Sequence, residues 1–144
     1  MIRSKDFAYN PREDELEKAS NSYLMSLIFI VVGLPIPIIN LFATFLFLLG
    51  NRRSSYFVRW HCTQALLSQL SMLFINSVGF WWTVSLVFEN ESITKGYILY
   101  IVIVLFVNLI EFITTIYSAI QIRKGIHIEW LFYGSITNIL VRSR

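Results

Sequence analysis

Apolar residues fall into three long regions, 23–50, 62–88 and 97–122, separated by short polar stretches. As helices rising 1.5 Å per residue, the second and third are each long enough to cross a hydrocarbon core of about 30 Å. The first is interrupted by Gly33-Leu34-Pro35-Ile36-Pro37. Two prolines remove two backbone donors and disfavour helix just before each ring. Each half spans about 14 residues, or roughly 21 Å, which falls short of a crossing. The halves can form a short tilted hairpin or a single kinked crossing. Upstream, Asn10-Pro11-Arg12-Glu13 predicts a helix start, with Asn10 as cap and Pro11 in the first turn. The following polar turns, with Asp14 and Lys18 paired at i, i+4, predict a water-exposed juxtamembrane helix entering the membrane near Ser20. Residues 126–144 are too short and too polar for a span. Aromatic and aliphatic side chains beside Arg142 and Arg144 suit a segment lying in the membrane interface.

Composition agrees with lipid as the surrounding medium. The 144 residues are 56% hydrophobic and 15% charged, against about 25% charged in ordinary soluble domains. So small a soluble protein could not hide that much apolar side chain. The expected fold class is all-α, an integral membrane helical protein forming a single membrane domain over residues 1–144. It would comprise a polar N-terminus (1–19), the Pro-broken region (20–50), a transmembrane hairpin (57–88 and 97–122) and the interfacial segment (126–144). The first apolar run follows an acidic stretch, and no small-residue cleavage site comes after it. No secretory signal is expected, and the mature protein is read as the full chain.

A net charge of +3 gives no reason to expect nucleic acid as a partner. The basic residues instead flank apolar regions: Arg52, Arg53 and Arg59 before the second, Arg123 and Lys124 after the third. The turn at 89–96 is slightly acidic. The positive-inside rule then places residues 51–60 and the C-terminus in the cytoplasm and 89–96 outside. Trp81, Trp82, Tyr97 and Tyr100 would mark the outer interface, and Tyr56, Trp60 and Trp130 the inner one.

Within the third region lies an acid, Glu111. A central carboxylate costs about 2.5–3.5 kcal/mol, and each central Ile, Leu, Val or Phe returns about 0.3–0.6. Sixteen such residues occupy 97–122, so the segment should insert, with Glu111 facing protein or water. Asn108, Glu111, Thr115 and Ser118 form one helical stripe. His61, Gln64, Ser68 and Ser71 form another on the preceding helix, with Asn76 close by. In an antiparallel hairpin about the 89–96 turn, Gln64 is level with Gln121, Ser68 with Ser118, Ser71 with Thr115 (or Thr114) and Asn76 with Asn108. This predicts a polar seam with Glu111 lodged near Ser71 and Asn76. Such a seam serves either as helix-to-helix glue or as a hydrophilic path around an ionisable group.

Candidate chemistry is sparse. The single cysteine, Cys62, allows no intrachain disulfide. His61 has no second ligand at metal-binding spacing, since Cys62 beside it points elsewhere and His127 is remote in sequence. Phosphate loops, nucleophile elbows and paired catalytic carboxylates are not found. We expect no enzyme, no catalytic residues, no metal and no cofactor.

The segment Tyr56-Phe-Val-Arg-Trp-His-Cys-Thr-Gln-Ala-Leu-Leu-Ser-Gln-Leu70 resembles a known motif, F-[VI]-R-[FW]-[NH]-x-x-Q-A. That motif belongs to the twenty-kilodalton (Tic-type) membrane subunit of the chloroplast inner-envelope protein translocon and to a related bacterial membrane family of unknown function. The resemblance covers residues 20–141. It implies four membrane helices with both ends on one side, and so favours a short hairpin for 23–50. Phe57, Arg59, His61, Gln64 and Ala65 are the motif positions; with Trp60 they would form a structural anchor or a partner-docking site. His61 stands where the plastid proteins usually have Asn, which points to the bacterial branch. The resemblance implies a small subunit of a bacterial inner-membrane assembly connected with protein translocation or membrane-protein biogenesis, in contact with lipid and other membrane subunits. The alternative is a homo-oligomeric transporter or channel with a polar path around Glu111.

Overall fold

A computed structural model describes residues 2–27, 37–88 and 92–141. Along the chain these form β1 (Ile2–Lys5), α1 (Glu13–Met25), α2 (Pro37–Gly50), α3 (Tyr56–Phe88), α4 (Lys95–Arg123), β2 (His127–Trp130) and α5 (Leu131–Leu140). The protein is predominantly helical, and among the described residues α3 and α4 are the two helices long and apolar enough to cross a membrane. In their most apolar windows only 11% and 6% of residues are buried inside the protein. Phe74, Trp81, Leu105 and Phe106 stand among the exposed side chains. Apolar flanks this bare are stable against lipid, where the helix satisfies its own backbone.

Each helix end has a local cause. Glu15 accepts a hydrogen bond from the Arg12 N–H at 2.9 Å, so α1 begins at Glu13 rather than at the expected Asn10-Pro11 cap. Thr94 caps α4 by accepting from the Tyr97 N–H at 3.2 Å. At its other end α4 closes with the Gly125 N–H on the Ile122 carbonyl and the Ile126 N–H on the Gln121 carbonyl. Gly125 has φ 86°. This is a Schellman ending, whose left-handed residue favours glycine. It turns the chain back so that β2 runs antiparallel to β1, with Ile2 opposite Trp130 and Lys5 opposite His127.

The packing differs from a plain two-helix seam. α3 and α4 meet directly at Asn76 and Asn108, whose amides exchange hydrogen bonds of 3.1 and 2.7 Å. Beyond that pair the Tyr100 hydroxyl donates to the Ile75 carbonyl at 2.7 Å, and its ring crosses the helix at Gly79, where an added Cβ would lie 3.4 Å away. Towards the strand end, α1 packs against both long helices. The Ser20 hydroxyl donates to the Ala119 carbonyl at 2.9 Å, and Tyr23 is fully buried. The core gathers here: Ala19, Tyr23, Phe57, Ala65, Ala119, Ile122, Ile128 and Trp130.

Several expectations change. α1 is no solvated helix, because Glu15, Ala19, Ser20, Ser22 and Tyr23 are buried along one face; the Asp14–Lys18 pair does form, at 4.0 Å. The all-α class omits the β1–β2 pair. Residues 126–144 are not one interfacial segment, since β2 is buried at all four positions. Apolar side chains turn outward at Ile126 and along α5, with Phe132, Ile139 and Leu140 exposed. Trp60 and Trp130 are interior residues rather than an inner aromatic belt. At the opposite end Trp82 does pack with Tyr97 and Tyr100, ring centroids 5.8 and 5.7 Å apart. Pro37 opens α2, a position that suits its fixed φ. The rest of the Pro-broken stretch lies outside the described residues, and so do residues 89–91 of the acidic turn after α3. The choice between hairpin and kinked crossing therefore falls outside them as well.

Candidate functional site

At the strand end of the long helices, a buried hydrogen-bonded chain starts from the β2 backbone. The Trp130 N–H donates to Gln64 Oε1 at 3.1 Å, which identifies that amide atom as oxygen and leaves Nε2 as donor. Gln64 Nε2 then donates to the Ile128 carbonyl at 3.2 Å and to the Tyr23 hydroxyl at 2.7 Å. Tyr23 is left to donate its own proton to His61 Nδ1, 3.0 Å away. His61 must carry its hydrogen on Nε2, which lies 3.0 Å from His127 Nδ1. One set of neutral tautomers therefore satisfies the whole run. Burial pushes the His127 imidazole down from 6.5 to about 4, with Glu129 raising it and Lys5 lowering it by smaller amounts. Desolvation penalises the charged ring.

A second chain runs alongside. Trp60 Nε1 donates to Asn138 Oδ1 at 2.7 Å, and Asn138 Nδ2 donates to Glu129 Oε1 at 3.0 Å. Glu129 is ion-paired with Lys5 across the strand pair. Aromatic rings close the assembly. Phe7 packs edge-on against Phe57 and His127, centroids 4.8 Å away in both cases, and Phe57 packs edge-on against His61 at 4.5 Å. We call this arrangement the latch, because it ties α1, α3, α5 and both strands together through side chains that start on α3.

The six anchor residues separate into two groups. Phe57, Trp60, His61, Gln64 and Ala65 all lie buried in the latch, and Ala65 leaves room for its neighbours. Arg59 does not join them: it is half-buried, and its Nε is enclosed without a hydrogen-bond partner among the described residues. The seam also divides. Asn76 and Asn108 pair as the hairpin symmetry predicts. Ser118 instead accepts from Trp130 Nε1 at 2.8 Å. Ser68 and Ser71 bond back to the carbonyls of Ala65 and Leu67. Gln121 contributes its backbone carbonyl to the end of α4. Glu111 lines a cavity of about 30 Å³ with Asn76 and Asn108. Both Glu111 Oε1 and Thr115 Oγ1 are buried without a hydrogen-bond partner among the described residues.

Sequence reasoning missed Tyr23, His127, Glu129 and Trp130. His127 was set aside for its distance in sequence from His61. Only Gly125, after Arg123-Lys124 at the end of an apolar helix, signals a chain reversal that could bring it back. Among the described residues no group of three His, Cys, Asp or Glu side chains could hold a metal ion.

The fold and the latch define a membrane protein whose two long helices are closed at one end by a polar, strand-containing cap. Residues 19–137 match the magnetosome magnetite crystal formation protein family, MamF/MmsF. The match takes in most of the chain, and the chain belongs to that family. No curated protein and no solved structure matches it. The finding corrects the resemblance to the translocon subunit, together with the role in protein translocation or membrane-protein biogenesis that it implied. The family concerns magnetite crystal formation instead. Motif residues such as Trp60, His61 and Gln64 have a sufficient physical reason in the latch, so their spacing is no mark of a translocon.

Proposed function

We propose that this protein is a non-enzymatic, multi-pass membrane component that takes part in magnetite crystal formation through its polar cap. The observation carrying this reading is the family match, which runs unbroken through α2, both long helices and β2. On this reading residues 51–60 and the C-terminus lie on the cytoplasmic face of a bacterial inner membrane, a sidedness that their basic residues support. On this reading α2 enters the bilayer without crossing it, and α5 lies in the interface. Lipid surrounds α3 and α4, while the cap meets other membrane components.

The cap is suited to a polar partner. A recess of about 650 Å³ opens beside the strands, lined by Lys5, Asp6, Tyr9, Asn10 and His127 among others. It offers donors, acceptors and charges of both signs, whereas the long helices offer mostly apolar side chains to lipid. A magnetosome-forming host lacking its own member of this family provides the test, with crystal size and number measured by electron microscopy. Expression of this protein should restore the crystals, and the double variant Lys5→Ala/Asp6→Ala should restore them less well at equal membrane levels. If the unaltered protein inserts into the membrane and leaves the crystals unchanged, the reading fails.

A further inference from the structure

Deep between α2, α3 and α4 lies the cavity of about 30 Å³ that Glu111 lines. It has room for about two water molecules or one small ion. Asn40, from the first turn of α2, lines it too and is 8% exposed. Asn40 Oδ1 and Glu111 Oε1 are both enclosed and without hydrogen-bond partners among the described residues. Gln69, 7% exposed, adds a third polar side chain to the wall. The remaining polar lining residues, Asn76 and Asn108, spend their amides on each other. Apolar side chains from the end of α1, from α3 and from α4 complete the wall.

Two buried acceptors on one cavity call for something electropositive between them, because enclosed polar atoms are almost always partnered. A carboxylate with one oxygen enclosed and unpartnered at this depth calls for it more strongly. Oxygen is the coordinating atom on offer, from a carboxylate and amide groups, without imidazole or thiolate. Such a set suits hard cations and disfavours soft transition metals. Among the described residues Glu111 is the single charged one lining the cavity. One negative charge neutralises a monovalent ion and would leave a divalent ion with a net charge inside the bilayer. The volume excludes an organic ammonium.

We propose that this cavity is a binding site for a small monovalent cation of sodium's size, held by Glu111 and Asn40. It ties α2 to α4, a link that no hydrogen bond among the described residues supplies. The inference stands apart from the proposed role in crystal formation.

The test uses the full-length protein in lipid nanodiscs, unfolded thermally in sodium chloride and in N-methylglucamine chloride at equal ionic strength. The unaltered protein should melt about 5 °C higher in sodium, as expected for a ligand well above its dissociation constant. That difference should vanish in Glu111→Gln, shrink in Asn40→Ala and survive in Glu17→Gln, a change on the exposed part of α1. Glu111→Gln is expected to fold, since it removes a buried charge; only the salt difference is compared. The unaltered protein should also broaden the sodium NMR line, and Glu111→Gln should not. Equal melting in the two salts would mean that Glu111 keeps a proton or that the Asn40 amide bonds to it directly, and the site would be refuted. A sodium effect undiminished in Glu111→Gln would refute it equally.

Discussion

His127 ends the hydrogen-bonded chain that begins at the Trp130 backbone, and its Nδ1 is committed as an acceptor from His61. A second proton on that ring would set two N–H groups against each other and add a charge in a buried place. The folded ring titrates near 4, against 6.5 in the open. Between these values the unfolded chain binds a proton that the folded chain does not, so stability rises with pH across the window. The contribution is complete above about pH 6.5 and is lost as pH falls towards about 4, by on the order of 2–3 kcal/mol. Denaturant midpoints in mild detergent should show this fall. The difference between the protein and His127→Asn, in which other carboxylates cancel, should shrink over that same range.

Among the elements, β2 and α5 depend on a close approach at Gly134. A Cβ there would overlap the Glu129 side chain, which pairs with Lys5 and accepts from Asn138. Gly134→Ala should displace Glu129, break both contacts and lower stability by about 1–3 kcal/mol, measured as a shifted unfolding midpoint. A change of equal size at exposed Ser135 should have no effect. This dependence was not legible in the sequence, because Gly134 looks like an ordinary weak point in a short helix. Length, hydropathy and charge did disclose α3 and α4, as did the depth at which Asn76 meets Asn108. What hid the rest was α1. Its polar first turns look solvated, yet Ser20 and Tyr23 reach between the long helices. That insertion parts Ser68 from Ser118, so the simple symmetry of a hairpin holds only beyond the wedge.

For the molecule as a whole, the arrangement of charge predicts sidedness. Single cysteines placed at Arg53 and at Ser92, with buried Cys62 replaced by Ser, should react with an impermeant thiol reagent from opposite faces of sealed vesicles. Reaction from the same face would overturn the two-crossing topology. The latch itself was out of reach of sequence reasoning for a geometric reason. Its partners, Tyr23, His61 and His127, come from three separate elements, and no periodicity connects them. The motif that carries His61 and Gln64 was visible, but its purpose depends on a strand formed near the end of the chain.

That strand has a bearing on biosynthesis. β1 leaves the ribosome before both long helices, while its partner β2 follows them. Both long helices can enter the bilayer before the cap exists, leaving Gln64 and His61 facing an open end until β2 arrives. A chain stopped short of His127 would be inserted yet uncapped, a form that quality-control proteases could distinguish from the finished protein.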